Sequence, residues 1–136
     1  MARTGQWVRV MADYGTEGLW TREGYMMLGN ALPVSTALMA RLRCWCRWYE
    51  TNTDYCIADS TFDYVDFAAT GLEIAKAIKR ELPNWTIIYF DEAILHQLIL
   101  TGAFIGDETT HPPQHLWDYE ITTDNNLNIP HDPAPP

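Results

Sequence analysis

The hydrophobic pattern of the chain alternates between the two-residue period of a strand and the three-to-four-residue period of a helix. In residues 7–13, Val8, Val10 and Ala12 fall on one face and Trp7, Arg9 and Met11 on the other. This imperfect alternation predicts a strand with at least one covered face. "GLWTREGYMM" then holds two short apolar pieces, Leu19–Trp20 and Tyr25–Met27, around a polar stretch containing Gly24, which predicts a small hairpin or irregular excursion. After the turn residues of "NALPVS", Ser35 is placed to cap a helix over residues 36–50. Its apolar positions Leu38, Leu42, Trp45 and Tyr49 trace one face, with Arg41, Arg43 and Arg47 mostly elsewhere.

"ETNTDYCIADST" is polar and aperiodic and reads as a surface loop. A second helix follows, opened by Ser60 or Thr61, with Asp63 and Asp66 near its positive end. Its expected buried stripe is Val65, Ala68, Leu72, Ala75, Ile78 and Leu82, and Pro83 ends it. The run Trp85–Phe90 lacks polar alternation, so it is expected to be covered on both faces, as parallel strands are. Asp91 caps a third helix through "EAILHQLIL", which Gly102 ends.

Beyond Gly106 the chain becomes acidic and rich in Pro and Asn, with one apolar island, Leu116 to Ile121, that suits an edge strand or a segment lying across the body. The order strand, hairpin, helix, helix, strand, helix predicts a small α/β (or α+β) domain over residues 1–106, with the Trp7 and Trp85 strands as neighbours. Residues 107–136 form an extension, partly docked or loose.

Composition narrows the class. A chain of 136 residues, 47% hydrophobic, is long enough for one real core and short for two. No apolar run has the length to cross a bilayer, and "MARTGQW" is not followed by the apolar region of a secretory signal, so the expectation is a soluble cytoplasmic protein. The net charge of −9 is unevenly spread: +2 over residues 1–50, −3 over residues 51–83, and −8 over residues 84–136, which contain no Lys or Arg. Such a surface repels nucleic acid and attracts a basic protein partner; the plainer alternative is that the charge only keeps an aromatic-rich domain in solution.

Candidate chemistry is sparse. Cys44, Cys46 and Cys56 make no disulfide framework, and helical positions two apart point to different faces, so free thiols are expected rather than a zinc site. No phosphate-binding glycine loop, nucleophile elbow or HExxH pair is present, and no catalytic residue, cofactor or metal ligand is assigned. His96 falls within the third helix and suits packing better than catalysis. What stands out is that both predicted core strands finish in acid. If they are parallel neighbours, Asp13 and Asp91 emerge at the same end of the sheet, with Tyr14, Glu17 and Glu92 around them. Asp91 is equally explained as a helix cap and Asp13 as a turn residue. Candidate partner-binding residues are Asp13, Tyr14, Glu17 and Glu92, the aromatic Trp48 off the first helix's apolar stripe, and the extension's Asp107, Glu108 and Asp118.

The segments "VRVMADYGTEGLW", "LPVS…L…RL…W…WYE" and "LPNWTIIYFDE" resemble, in that order, a family of short uncharacterised bacterial proteins, over roughly residues 7–95. Small acidic α/β proteins of this kind are similar in style to immunity proteins, which neutralise secreted nuclease or other toxin domains, and to phage-encoded inhibitors that imitate nucleic acid. The resemblance implies a non-enzymatic inhibitor of a basic toxin domain. The alternatives are a phage-type inhibitor of a defence nuclease and a small metal-dependent enzyme using Asp13, Glu17, Asp91 and Glu92.

Overall fold

A computed structural model describes residues 6–53, 62–102 and 113–122. Strand β1 (Trp7–Val10) pairs antiparallel with the short β2 (Leu19–Trp20) and parallel with β3 (Thr86–Phe90), and β3 pairs antiparallel with β4 (Asp118–Ile121). The sheet order is therefore β2-β1-β3-β4, with the expected parallel neighbours at its centre. The island near residue 118 adds the edge strand. The excursion after β2 folds back through a single bridge between Trp20 and Met26.

Helix α1 (Thr36–Asn52) starts where Ser35 Oγ accepts from Leu38 N (3.2 Å), as expected of an N-cap. Helix α2 (Tyr64–Glu81) begins later than anticipated. Its cap is Asp63, whose carboxylate accepts from Asp66 N (3.0 Å), so the opening assigned to Ser60 or Thr61 is corrected; both lie outside the described residues. Ser35 also donates to Glu81 through its backbone N–H and its hydroxyl (2.7 and 2.8 Å), joining the start of α1 to the end of α2 in an antiparallel helix pair. Helix α3 (Glu92–Leu100) packs on α2.

The pleat sorts the sheet's side chains into two faces. Val8, Val10, Leu19, Ile87, Tyr89, Tyr119 and Ile121 turn to the helices and join Leu38, Leu42, Trp45, Phe67, Ile74 and Ile78 in one core. The opposite face carries Trp7, Arg9, Ile88 and Asp118, with the Arg9 guanidinium over the Trp7 ring at 5.3 Å. Ile87, Ile88 and Tyr89 are all fully buried, so β3 is covered on both faces as its unbroken apolar run predicts.

One stripe assignment changes. Val65 is 74% exposed, and α2 instead turns Tyr64, Phe67, Ala68, Gly71, Ile74, Ala75 and Ile78 inward. Two apolar rows run side by side on this helix, and the bulkier Phe67 and Ile74 take the inner one. Trp45 stacks on Phe67 (centroids 4.6 Å apart, planes 9° apart) and donates Nε1–H to the Phe67 carbonyl (2.9 Å). Tyr89 donates its hydroxyl to the Ala68 carbonyl (2.7 Å). Both rings come that close because Gly71 has no side chain there.

Candidate functional site

At the shared C-terminal end of β1 and β3 the chain leaves the sheet twice, and each exit is built on an acid. Asp91 follows β3. One carboxylate oxygen accepts from Ala93 N (3.1 Å) and Ile94 N (3.2 Å), capping α3, while the other accepts the hydroxyl of Tyr119 (2.7 Å). Its backbone N–H donates to the Trp117 carbonyl at 2.6 Å. Asp91 is thus committed to joining β3, α3 and β4, which decides its role in favour of the cap.

Asp13 follows β1 in a tight turn. Its carboxylate accepts from Tyr14 N (2.7 Å) and its carbonyl accepts from the Thr16 hydroxyl (3.0 Å). Gly15, at φ +73°, supplies the left-handed residue the turn requires, and its N–H donates to Glu50 at the end of α1 (2.8 Å). Helix α1 completes the rim: the Tyr14 hydroxyl is hydrogen-bonded to Thr53, and the Tyr14 and Tyr49 rings lie 5.3 Å apart.

Glu92 sits beneath this rim. It is 5% exposed and takes a long hydrogen bond, 3.5 Å, from the Tyr49 hydroxyl. Burial first, and then the nearby Asp13 charge, push its carboxyl up to about 7, with the Tyr49 contact only partly opposing them. Burial, reinforced by the Glu92 charge, holds the Tyr49 phenol well above its ordinary range. Tyr119 is raised likewise by burial and by its bond to Asp91. At neutral pH these tyrosines are hydrogen-bond donors, and Glu92 stands close to half-protonation.

The structure therefore brings together Asp13, Tyr14 and Glu92, but Glu92 lies inside the protein rather than on an exposed rim. Glu17 is half-buried nearby and pairs with Arg43 at 3.3 Å. Trp48 packs against Phe62 and Phe67 (5.8 and 5.3 Å) and borders an apolar pocket of about 380 Å³ between α1 and α2. Asp118 is 1% exposed and held by Arg9 and Gln114, so it is an internal ion-pair partner. Asp107 and Glu108 lie outside the described residues, as does Cys56. Cys44 is exposed and Cys46 buried, the opposed facing expected of positions two apart. Burial pushes the Cys46 thiol up to about 12, leaving it an unreactive packing group.

Asp13, Glu17, Asp91 and Glu92 do not converge on one point, since Asp91 caps α3 and Glu17 is paired with Arg43. Among the described residues, no group of three or more His, Cys, Asp or Glu side chains is placed to hold a metal ion. Sequence reasoning missed Glu50, Thr53 and Tyr119 as supports of this region. Nothing local marks them; each is brought in by α1 or by the last strand. No described helix is long and apolar enough to cross a membrane.

These features define a small α/β protein whose helix pair covers one face of a mixed four-stranded sheet, with acids and tyrosines gathered at the sheet's end. Residues 6–92 match the model of the family described as Serratia CdiI immunity protein-like, and the chain belongs to that family. It is therefore an immunity-type protein, of a class that is not enzymatic, in agreement with the immunity-protein style seen in its sequence. No curated protein matches the chain.

Proposed function

We propose that this protein is the immunity partner of a CDI toxin and neutralises it in the cytoplasm by binding the toxin domain. We further propose that this domain is basic and nuclease-like. Family membership over residues 6–92 supports the immunity role. The observation carrying the finer reading is the one-signed charge of two long segments: residues 51–75 and 84–136 contain acids and no Lys or Arg. A basic nuclease surface, shaped to hold phosphates, would be drawn to them, and in that limited sense the protein takes the place of nucleic acid. The proposed contact surface is the strand-end rim of Asp13, Tyr14, Glu17 and Glu50, where Glu50 is exposed.

The test is association with the inactivated toxin domain encoded beside this gene, followed over a range of salt concentrations. Reversing Glu17 and Glu50 to Lys should slow association while leaving dissociation less affected. The difference from wild type should shrink as salt screens the steering. Equal association rates at low salt would remove the acidic rim from the interface.

A further inference from the structure

A row of aromatic rings runs from the acidic rim along the end of the domain. Tyr14 lies 5.3 Å from Tyr49, Tyr49 6.1 Å from Phe62, Phe62 4.8 Å from Tyr64, and Tyr64 4.1 Å from His96. The last pair is stacked, with planes 18° apart. There the row opens into a pocket of about 400 Å³ between the start of α2 and the face of α3. Its walls include Asp63, Tyr64, Val65, His96 and Leu100.

Three properties of this pocket coincide. The first is apolar exposure at its mouth, where Val65 is 74% and Leu100 55% exposed. The second is an unmet polar group: His96 Nε2 is buried and has no hydrogen-bond partner. Leaving such an atom unpaired costs free energy that a ligand group can recover. The third is charge. Asp63 is the pocket's acidic residue, and no Lys or Arg lines it. Asp63 uses one carboxylate oxygen to cap α2, through Asp66 N.

We infer that this pocket is a docking site for a lysine side chain of the partner. The lysine's methylene stem would lie on Val65, Leu100 and the Tyr64 ring, and its ammonium would donate to His96 Nε2 and the Asp63 carboxylate. A half-turn of the imidazole about its Cβ–Cγ bond keeps the ring on Tyr64 and carries Nε2 to the ring's other edge, which gives the ammonium a route to it. The inference rests on the immunity reading, and it extends the acidic rim to a defined anchor through a continuous row of rings.

The experiment measures affinity for the inactivated toxin domain encoded beside this gene, in wild type and in Val65→Lys, Val65→Glu and His96→Phe, with thermal unfolding midpoints alongside. Val65→Lys should weaken binding about tenfold or more through repulsion of the incoming ammonium, whereas Val65→Glu should lose much less, and neither should shift the midpoint. His96→Phe keeps the stack but removes Nε2, so it should bind about tenfold more weakly while unfolding at a higher temperature. A purely structural histidine would not give that opposed pair of changes. Equal losses in Val65→Lys and Val65→Glu, or wild-type affinity in His96→Phe, would overturn the lysine site while leaving the immunity role standing. No binding by the wild type would overturn both.

Discussion

Arg9 on β1 and Asp118 on β4, 109 residues apart in sequence, are joined by a bidentate ion pair that passes over β3. The guanidinium Nε donates to one carboxylate oxygen at 3.0 Å and a terminal nitrogen to the other at 2.8 Å. Asp118 is almost fully buried, with Gln114 as its further donor at 2.8 Å, so removing the arginine strands a charge. Arg9→Ala should destabilise the fold by about 3–5 kcal/mol, whereas replacing both partners with apolar residues of similar size should recover most of that loss. Denaturant unfolding of the single and double variants measures the difference.

Glu92 predicts an inverted pH dependence for a carboxylate. Its ordinary value of 4.5 is raised to about 7 in the folded protein. Between these values the folded state binds more protons than the unfolded state, so stability falls as pH rises through this window. The contribution is fully present below about 4.5 and is lost above about 7, a difference of about 3 kcal/mol. Glu92→Gln should therefore raise the unfolding midpoint at pH 8 and change it little at pH 4.5. Glu92→Lys should damage folding rather than only binding, because it places a cation in the same buried position.

Gly71 predicts a case where a better helix former weakens the protein. In an exposed helix, Gly→Ala gains roughly 1 kcal/mol. Here the added methyl would meet the Trp45 indole and the Tyr89 hydroxyl, both fixed by hydrogen bonds to α2. Gly71→Ala should cost about 1–3 kcal/mol through overpacking, and near-ultraviolet circular dichroism should report the displaced tryptophan.

Ile87 tests the centre of the sheet. Fully buried on β3 opposite Val8 and Ile121, it should cost about 2–5 kcal/mol when replaced by Ala. An unchanged denaturation midpoint would contradict its place in the core.

What was legible in the sequence had a local cause. The caps at Ser35 and Asp91, the unbroken apolar run before Asp91 and the four-three-four spacing of α1 each express a short-range rule, and each appears in the fold. The α2 stripe was placed one row off at Val65. Periodicity identifies apolar rows, but the choice between adjacent rows rests on where the sheet lies. The carboxylates show the same limit. Asp91 and Glu92 are neighbours in sequence, yet one is exhausted by two backbone N–H groups and Tyr119, while the other lies under Tyr49. Tyr119 and Arg9 come from the far ends of the described chain, and no spacing rule connects them to these acids. The His96 pocket was equally hidden, because an imidazole within an apolar helix looks the same whether or not its nitrogen finds a partner.

β4 lies beyond the family-matched residues, yet it closes one side of β3, whose Thr86–Phe90 sequence combines β-branched and aromatic residues without a charge. Until residues 118–121 have left the ribosome, that side of β3 is an uncovered template of N–H and C=O groups, of the kind that recruits strands from other chains. The final strand is thus a guard for the newly made protein. Chains halted before Asp118 should pass from the soluble pool into aggregates, even though they carry most of the domain's core.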